Sequence, residues 1–184
     1  MNNRQLSGGF TIMEVIIAAS IGIVVMSAVL FLFIRGNQMF VFDSRYLDTQ
    51  KNVRLALDNI SQDTRRANDV VSTAIGSVPA STSSQLVLDV SSIDASGNPI
   101  TGSNDYFRYT LNGTTLEKTT WAAVGSTRTS GTKNISSNIS NLAFGYLPTL
   151  AGATRVTISI TSTATVMNKT HTRTLNTSVK LRNK

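Results

Sequence analysis

The chain has 184 residues, 41% of them hydrophobic, which is enough for one domain with a real core and excludes a disordered polar chain. It has no cysteine, so disulfides and thiolate metal sites are excluded, and its single histidine excludes a histidine cluster. The formal net charge of +7 is unevenly spread: residues 1–117 carry eight Lys/Arg and ten Asp/Glu, whereas residues 118–184 carry nine Lys/Arg and no acid.

The first element is an apolar helix. Val15 to Ile34 are twenty consecutive residues without a charge, diluted only by Ser20, Gly22 and Ser27. As a helix they span about 30 Å, one bilayer core. Arg4 precedes the run, and Arg35, Arg45 and Lys51 follow it together with Asp43 and Asp48, so the charge bias is weak and does not set the topology. An ordinary secretory signal has a shorter apolar core followed by a small-residue cleavage site. Here the small pair, Gly8-Gly9, comes first, and a cut there removes only the polar leader 1–9. Glu14 stands at the head of the run; an acid deep in a membrane helix costs about 2.5–3.5 kcal/mol on insertion scales and persists with a partner or a function. The alternative is an ordinary signal anchor that happens to contain a glutamate.

The stretch "GFTIMEVIIA", residues 9–18, resembles the type III signal of type IV prepilins and pseudopilins: a glycine, an aromatic residue, and a glutamate at the fifth place from that aromatic. The resemblance implies cleavage between Gly9 and Phe10 by a prepilin peptidase, N-methylation of Phe10, and an assembly role for Glu14. In such filaments the glutamate pairs with the N-terminal amine of a neighbouring subunit, so that both charges find a partner in low dielectric. The resemblance also implies a single-pass inner-membrane protein with a periplasmic head, surrounded by membrane lipid before assembly. Its partners would be the inner-membrane assembly platform and other major and minor pilins, and its destination an extracellular filament. Major pilins usually carry a proline midway along this helix, but the prolines here are Pro79, Pro99 and Pro148. That points to a minor subunit, with a major subunit of unbroken helix as the other option.

The helix is predicted to continue. Met39, Phe42, Tyr46, Val53, Ala56, Ile60 and Ala67 fall at spacings of three and four on one face, which Leu57 widens. Asp43, Asp48, Lys51, Arg54, Asp58, Asp63, Arg65 and Arg66 make the opposite, solvated face. Residues 72–84, "STAIGSVPASTSS", read as a small-residue linker, and strand-like stretches follow at 85–90, 106–120, 138–147, 155–164 and 170–183. Asn112-Gly113 marks a hairpin, and Ser/Gly/Asn-rich loops are expected at 91–105 and 125–137. The predicted fold is α+β and pilin-like: a long N-terminal helix packed on an antiparallel sheet of five or six strands. Its divisions are a leader (1–9), a membrane-spanning helix (10–35), an amphipathic helix (36–70) and a β-sheet head (71–184). Within the head, "RYTLNGTTLEK" and "VKLRN" resemble minor pilins of the PilW type and J-class minor pseudopilins of type II secretion.

Catalytic signatures are lacking: His171 reads as an exposed strand residue, no phosphate loop follows a strand, and neither enzyme activity, cofactor nor metal is expected. Residues 94–105, "DASGNPITGSND", imitate part of a calcium loop, but Pro99 stands where glycine is needed and Asp105 replaces the bidentate Glu, so a polar hairpin loop is preferred. Lys118, Arg128, Lys133, Arg155, Lys169, Arg173, Lys180, Arg182 and Lys184 make the last third basic. Of these, Arg155, Lys169, Arg173, Lys180 and Arg182 are candidates for binding DNA or an acidic glycan, with Trp121 and Tyr146 as the stacking candidates. A solvated basic edge that discourages strand pairing explains the same charges. The function these features favour is a minor pilin acting in the priming or tip complex of a type IV pilus. Its alternatives are a minor pseudopilin of type II secretion, or a pilin-like protein that binds DNA or anionic glycan for uptake or adhesion.

Overall fold

Helix α1 runs from Ile12 to Arg66 in the computed structural model, which describes residues 9–166 and 169–182. The chain divides into two compact units between Ser44 and Arg45. In the first, α1 is long and apolar enough to span a membrane, and none of its apolar stretch is covered by protein. The polar residues in that stretch are satisfied within the helix, Ser20 and Ser27 donating their hydroxyls to the carbonyls of Ile16 and Ile23 at 2.8 and 2.7 Å. Arg35 closes the run with its guanidinium 5.2 Å from the ring centre of Phe31, one turn earlier. Of the predicted apolar face, Met39 is exposed and Phe42 half-buried.

In the second unit the remainder of α1 buries Thr49, Val53, Ala56, Ile60 and Thr64, spaced four, three, four and four apart on one face. Thr49 and Thr64 fit this face because their hydroxyls bond back to Arg45 and Ile60 carbonyls at 2.9 and 2.7 Å. Tyr46 stays 39% exposed, whereas Ala67, just past the helix end, is fully buried.

Eight strands follow among the described residues, in two antiparallel sheets rather than one of five or six. Strands β1 (Asp69–Val70), β2 (Gln85–Ile93), β3 (Pro99–Asn112), β4 (Thr115–Trp121) and β5 (Gly131–Ser136) lie side by side in that order. Strands β6 (Ile139–Leu147), β7 (Arg155–Val166) and β8 (Lys169–Lys180) make the second sheet. The polar stretches expected to be loops conceal the extra strand length. Ladder bonds hold the "PITGSN" start of β3 and all of β5 where no apolar alternation announces a strand. Both sheets turn their inner faces to one core, in which Val53, Ala56 and Ile60 of α1 meet Leu86, Leu88, Phe107, Tyr109 and Leu116 from the first sheet. Leu142, Phe144, Val156, Ile158 and Ile160 enter from the second. Backbone bonds from Ile139 to Thr114 and from Phe144 to Ser83 tie β6 to the first sheet's loops at 2.9 and 2.8 Å.

Residues 72–84 are not a free linker. Val71 and Val78 are buried with Val87 in a second apolar cluster, and the Ser81 hydroxyl accepts from the Val87 amide at 2.8 Å. The predicted hairpin is present with its loop one residue later than Asn-Gly suggests. Asn112 pairs with Thr115, so Gly113 and Thr114 form the turn, with positive φ (60°) at Gly113 alone, the sign pattern of a type II′ turn. Because a side chain at that φ costs about 1–2 kcal/mol, Gly113→Val should lower head stability by that amount in denaturant unfolding. Nothing lies within 4 Å of the added Cβ, so an unchanged midpoint would show that the turn can re-form with negative φ.

Candidate functional site

The predicted processing and assembly residues lie together where α1 begins. Setting aside its chain neighbours, nothing among the described residues lies within 4 Å of where a Cβ on Gly9 would stand. Phe10 is 84% exposed. Thr11 caps α1, its hydroxyl accepting from the Glu14 amide at 3.3 Å, while Glu14 Oε2 accepts a long bond from the Thr11 amide at 3.5 Å. This reciprocal pair is a capping box, whose sequence signature is Thr-x-x-Glu, and it gives Glu14 a local role that spacing from the aromatic residue does not reveal. The carboxylate is exposed and makes no ion pair among the described residues. It also sits within the first turn, where the helix dipole favours negative charge.

The head holds two further polar networks. Asp63, expected on the solvated face of α1, is buried: its Oδ2 accepts from Lys118 Nζ and from the Tyr109 hydroxyl, both at 2.5 Å. Tyr109 is fully buried, and burial, reinforced by the Asp63 charge, pushes its phenol well above the usual range, which keeps it a donor. Asp105 is completely buried. It accepts from the Ala123 amide (2.8 Å), Ser126 Oγ (2.8 Å), Ser92 Oγ (2.9 Å) and Arg128 Nη1 (2.6 Å). Burial alone would raise its carboxyl, but these four donors outweigh it and hold the group below the usual carboxylate range. Between the networks lies the ring of Phe107, with Lys118 Nζ 3.8 Å and the Arg128 guanidinium carbon 5.3 Å from its centre.

The structure therefore divides the basic residues. Lys118 and Arg128 are neutralised internally. Arg155 and Lys180 face each other across β7 and β8 on the side opposite the buried Val156, Ile158 and Val179, and both are exposed. Arg173 is exposed but lies on the other face of β8, in line with Val179, so the two strands do not gather their charges on one face as alternation suggested. Arg182 lies beyond β8, and the side chain of Lys169 falls outside the described residues. Since β8 forms an outer edge of its sheet, Lys180 does sit on a strand edge. His171 is half-buried rather than exposed, its ring meeting Tyr46 edge-on at 5.6 Å.

Neither proposed stacking residue presents a bare ring. Trp121 lies under the guanidinium of Arg108, 5.4 Å away, and packs on the Val71–Val87 cluster. Tyr146 packs on the main core and donates its hydroxyl to Thr82 and Gln85 carbonyls at 2.7 and 3.1 Å. The calcium-like stretch is the tip and far strand of the β2–β3 hairpin. Asp94 turns that tip by accepting from the amides of Ser96 and Asn98 at 2.9 and 2.8 Å, whereas Asp105 belongs to the Arg128 network. Among the described residues no three acidic or histidine side chains stand together in a way that would hold a metal ion.

No protein-family model matches the chain, and no curated protein matches it either.

Proposed function

We propose that this chain is a minor pilin, a non-enzymatic subunit that is cut between Gly9 and Phe10, methylated on Phe10 and assembled through its apolar helix into a type IV pilus. The observation that carries the proposal is the state of Glu14: an exposed carboxylate without an ion pair among the described residues, heading an apolar helix that no protein covers. Such a group in a membrane or a filament core calls for a cation from another molecule. The new amine on Phe10 of a neighbouring subunit would supply it, since an α-amine is largely protonated near neutral pH. The uninterrupted α1, without a proline to loosen it, favours a minor over a major subunit.

In this reading the head is a passenger that the Asp63–Lys118 ion pair and one core hold to the second part of α1. Filaments sheared from cells that produce the native chain should contain it in small amounts relative to the main subunit. Its confinement to the membrane fraction in cells that assemble filaments normally would argue against the proposal.

A further inference from the structure

We propose that Arg66, Arg128 and Arg182 form an oxoanion-binding site on the head, suited to the carboxylate or phosphate group of a small anionic ligand. Two clefts of about 300 Å³ each share Arg66, Val90 and Arg128. Phe107 and Lys118 line the first, and Arg182 lines the second.

The charges there do not cancel. Lys118 is matched by Asp63, and Arg128 is matched by Asp105 through one nitrogen only. Arg66 and Arg182 are exposed and have no carboxylate partner among the described residues, which leaves a surplus of two positive charges among the residues that line the clefts, with Asp89 bonded to Asn68 at the second cleft. A pair of guanidiniums with nothing to neutralise them repel one another, and a bound oxoanion relieves that repulsion while satisfying their forked donors.

Arg128 is the fixed member. Its Nη1 donates to the Ser91 carbonyl at 2.8 Å and to Asp105 at 2.6 Å, and its guanidinium stands against the Phe107 ring. Its other donors, Nε and Nη2, have no protein partner among the described residues. A ligand would thus meet one guanidinium already immobilised, which lowers the ordering cost of binding. The apolar wall of Phe107 and Val90 beside it lowers the local dielectric and strengthens the attraction. The site is separate from Arg155 and Lys180, which line neither cleft, and it does not depend on filament assembly.

The test uses the full chain in zwitterionic micelles at low ionic strength, titrated calorimetrically with inorganic phosphate in one arm and glutarate in the other. Saturable binding at one site is expected, weakened by about tenfold or more in Arg66→Gln/Arg182→Gln and by less than about twofold in Arg155→Gln/Lys180→Gln, which removes the same charge elsewhere. The arm with the tighter binding identifies the ligand's acidic group. Arg128 is left intact because Asp105 depends on it, and an unchanged thermal midpoint in both double variants confirms that the head is folded. No saturable heat with either anion, or equal weakening in the two double variants, would overturn the site.

Discussion

Glu14→Gln should reduce incorporation into filaments by about tenfold or more, and as severely as Glu14→Ala, because a tenfold change needs only about 1.4 kcal/mol and an unpaired ion in lipid costs more than that. The comparison matters because Glu14 has two roles that a single alanine substitution confounds. It closes a capping box with Thr11, and it carries a charge with no ion pair among the described residues. Glutamine serves at the third position of a capping box nearly as well as glutamate, so it keeps the cap and removes the charge. Thr11→Val does the reverse: it removes the hydroxyl that receives the Glu14 amide and leaves the carboxylate in place. Losing the cap costs about 1 kcal/mol of helix stability at a frayed end, and the apolar helix that follows tolerates this. Charge pairing between subunits therefore predicts that both Glu14 variants fail while Thr11→Val assembles nearly normally, as read by immunoblot of sheared filaments. If Glu14→Gln assembles like the native chain and Thr11→Val does not, the capping box is the function of Glu14 and intersubunit pairing is wrong.

Asp105→Ala should be the most damaging single change in the head, costing about 3–5 kcal/mol and lowering the thermal midpoint by on the order of 10 °C. The substitution strands a partly buried Arg128 and leaves the Ala123 amide and the Ser126 hydroxyl without their acceptor, while the Ser92 hydroxyl keeps only its 3.3 Å contact with Ser103. These donors come from β2 and from the loop after β4, so the carboxylate ties separate segments of the first sheet together. Ser92→Ala removes one donor of four and should cost about 1 kcal/mol. The pH dependence follows in sign. Because the folded-state value is depressed, the ionised carboxylate contributes its full stabilisation above the unfolded value of about 3.9, and that contribution is lost as pH falls through the lower folded value. The native head should thus lose stability steeply only below about pH 4, and Asp105→Asn should flatten that limb. Equal acid slopes in the two proteins would remove Asp105 from the account of acid sensitivity.

The residues that periodicity and turn chemistry govern were legible in the sequence. Val53, Ala56 and Ile60 read as one face of a helix because apolar side chains recur at its period, and they are the residues that α1 buries. Gly113 read as a turn because few residues accept its φ, although which residues close that turn depends on strand register, which a dipeptide does not specify. Polarity misled where tertiary partners override it. Asp63 belongs to a charged series at helical spacing and reads as solvated, yet Tyr109 and Lys118, 46 and 55 residues further on, make its burial tolerable. The same holds for Thr49 and Thr64, whose hydroxyls are satisfied inside the helix and so cost the core little. Strand β5 and the start of β3 escaped notice because their stability lies in backbone ladders rather than side chains. At the N-terminus the residue order Gly9, Phe10, Glu14 carried the functional reading, while the Thr11–Glu14 box was present in the sequence as Thr-x-x-Glu and signals the helix start independently.

In the proposed function, assembly through Glu14 depends on shedding of the polar leader and exposure of a new amine on Phe10. Intact-mass and N-terminal peptide analysis of the chain extracted from membranes of cells with an active prepilin peptidase tests it directly. The predicted product begins at Phe10 and carries one methyl group on its α-amine; a product that retains Met1, or one cut within or after the apolar run, would contradict the account.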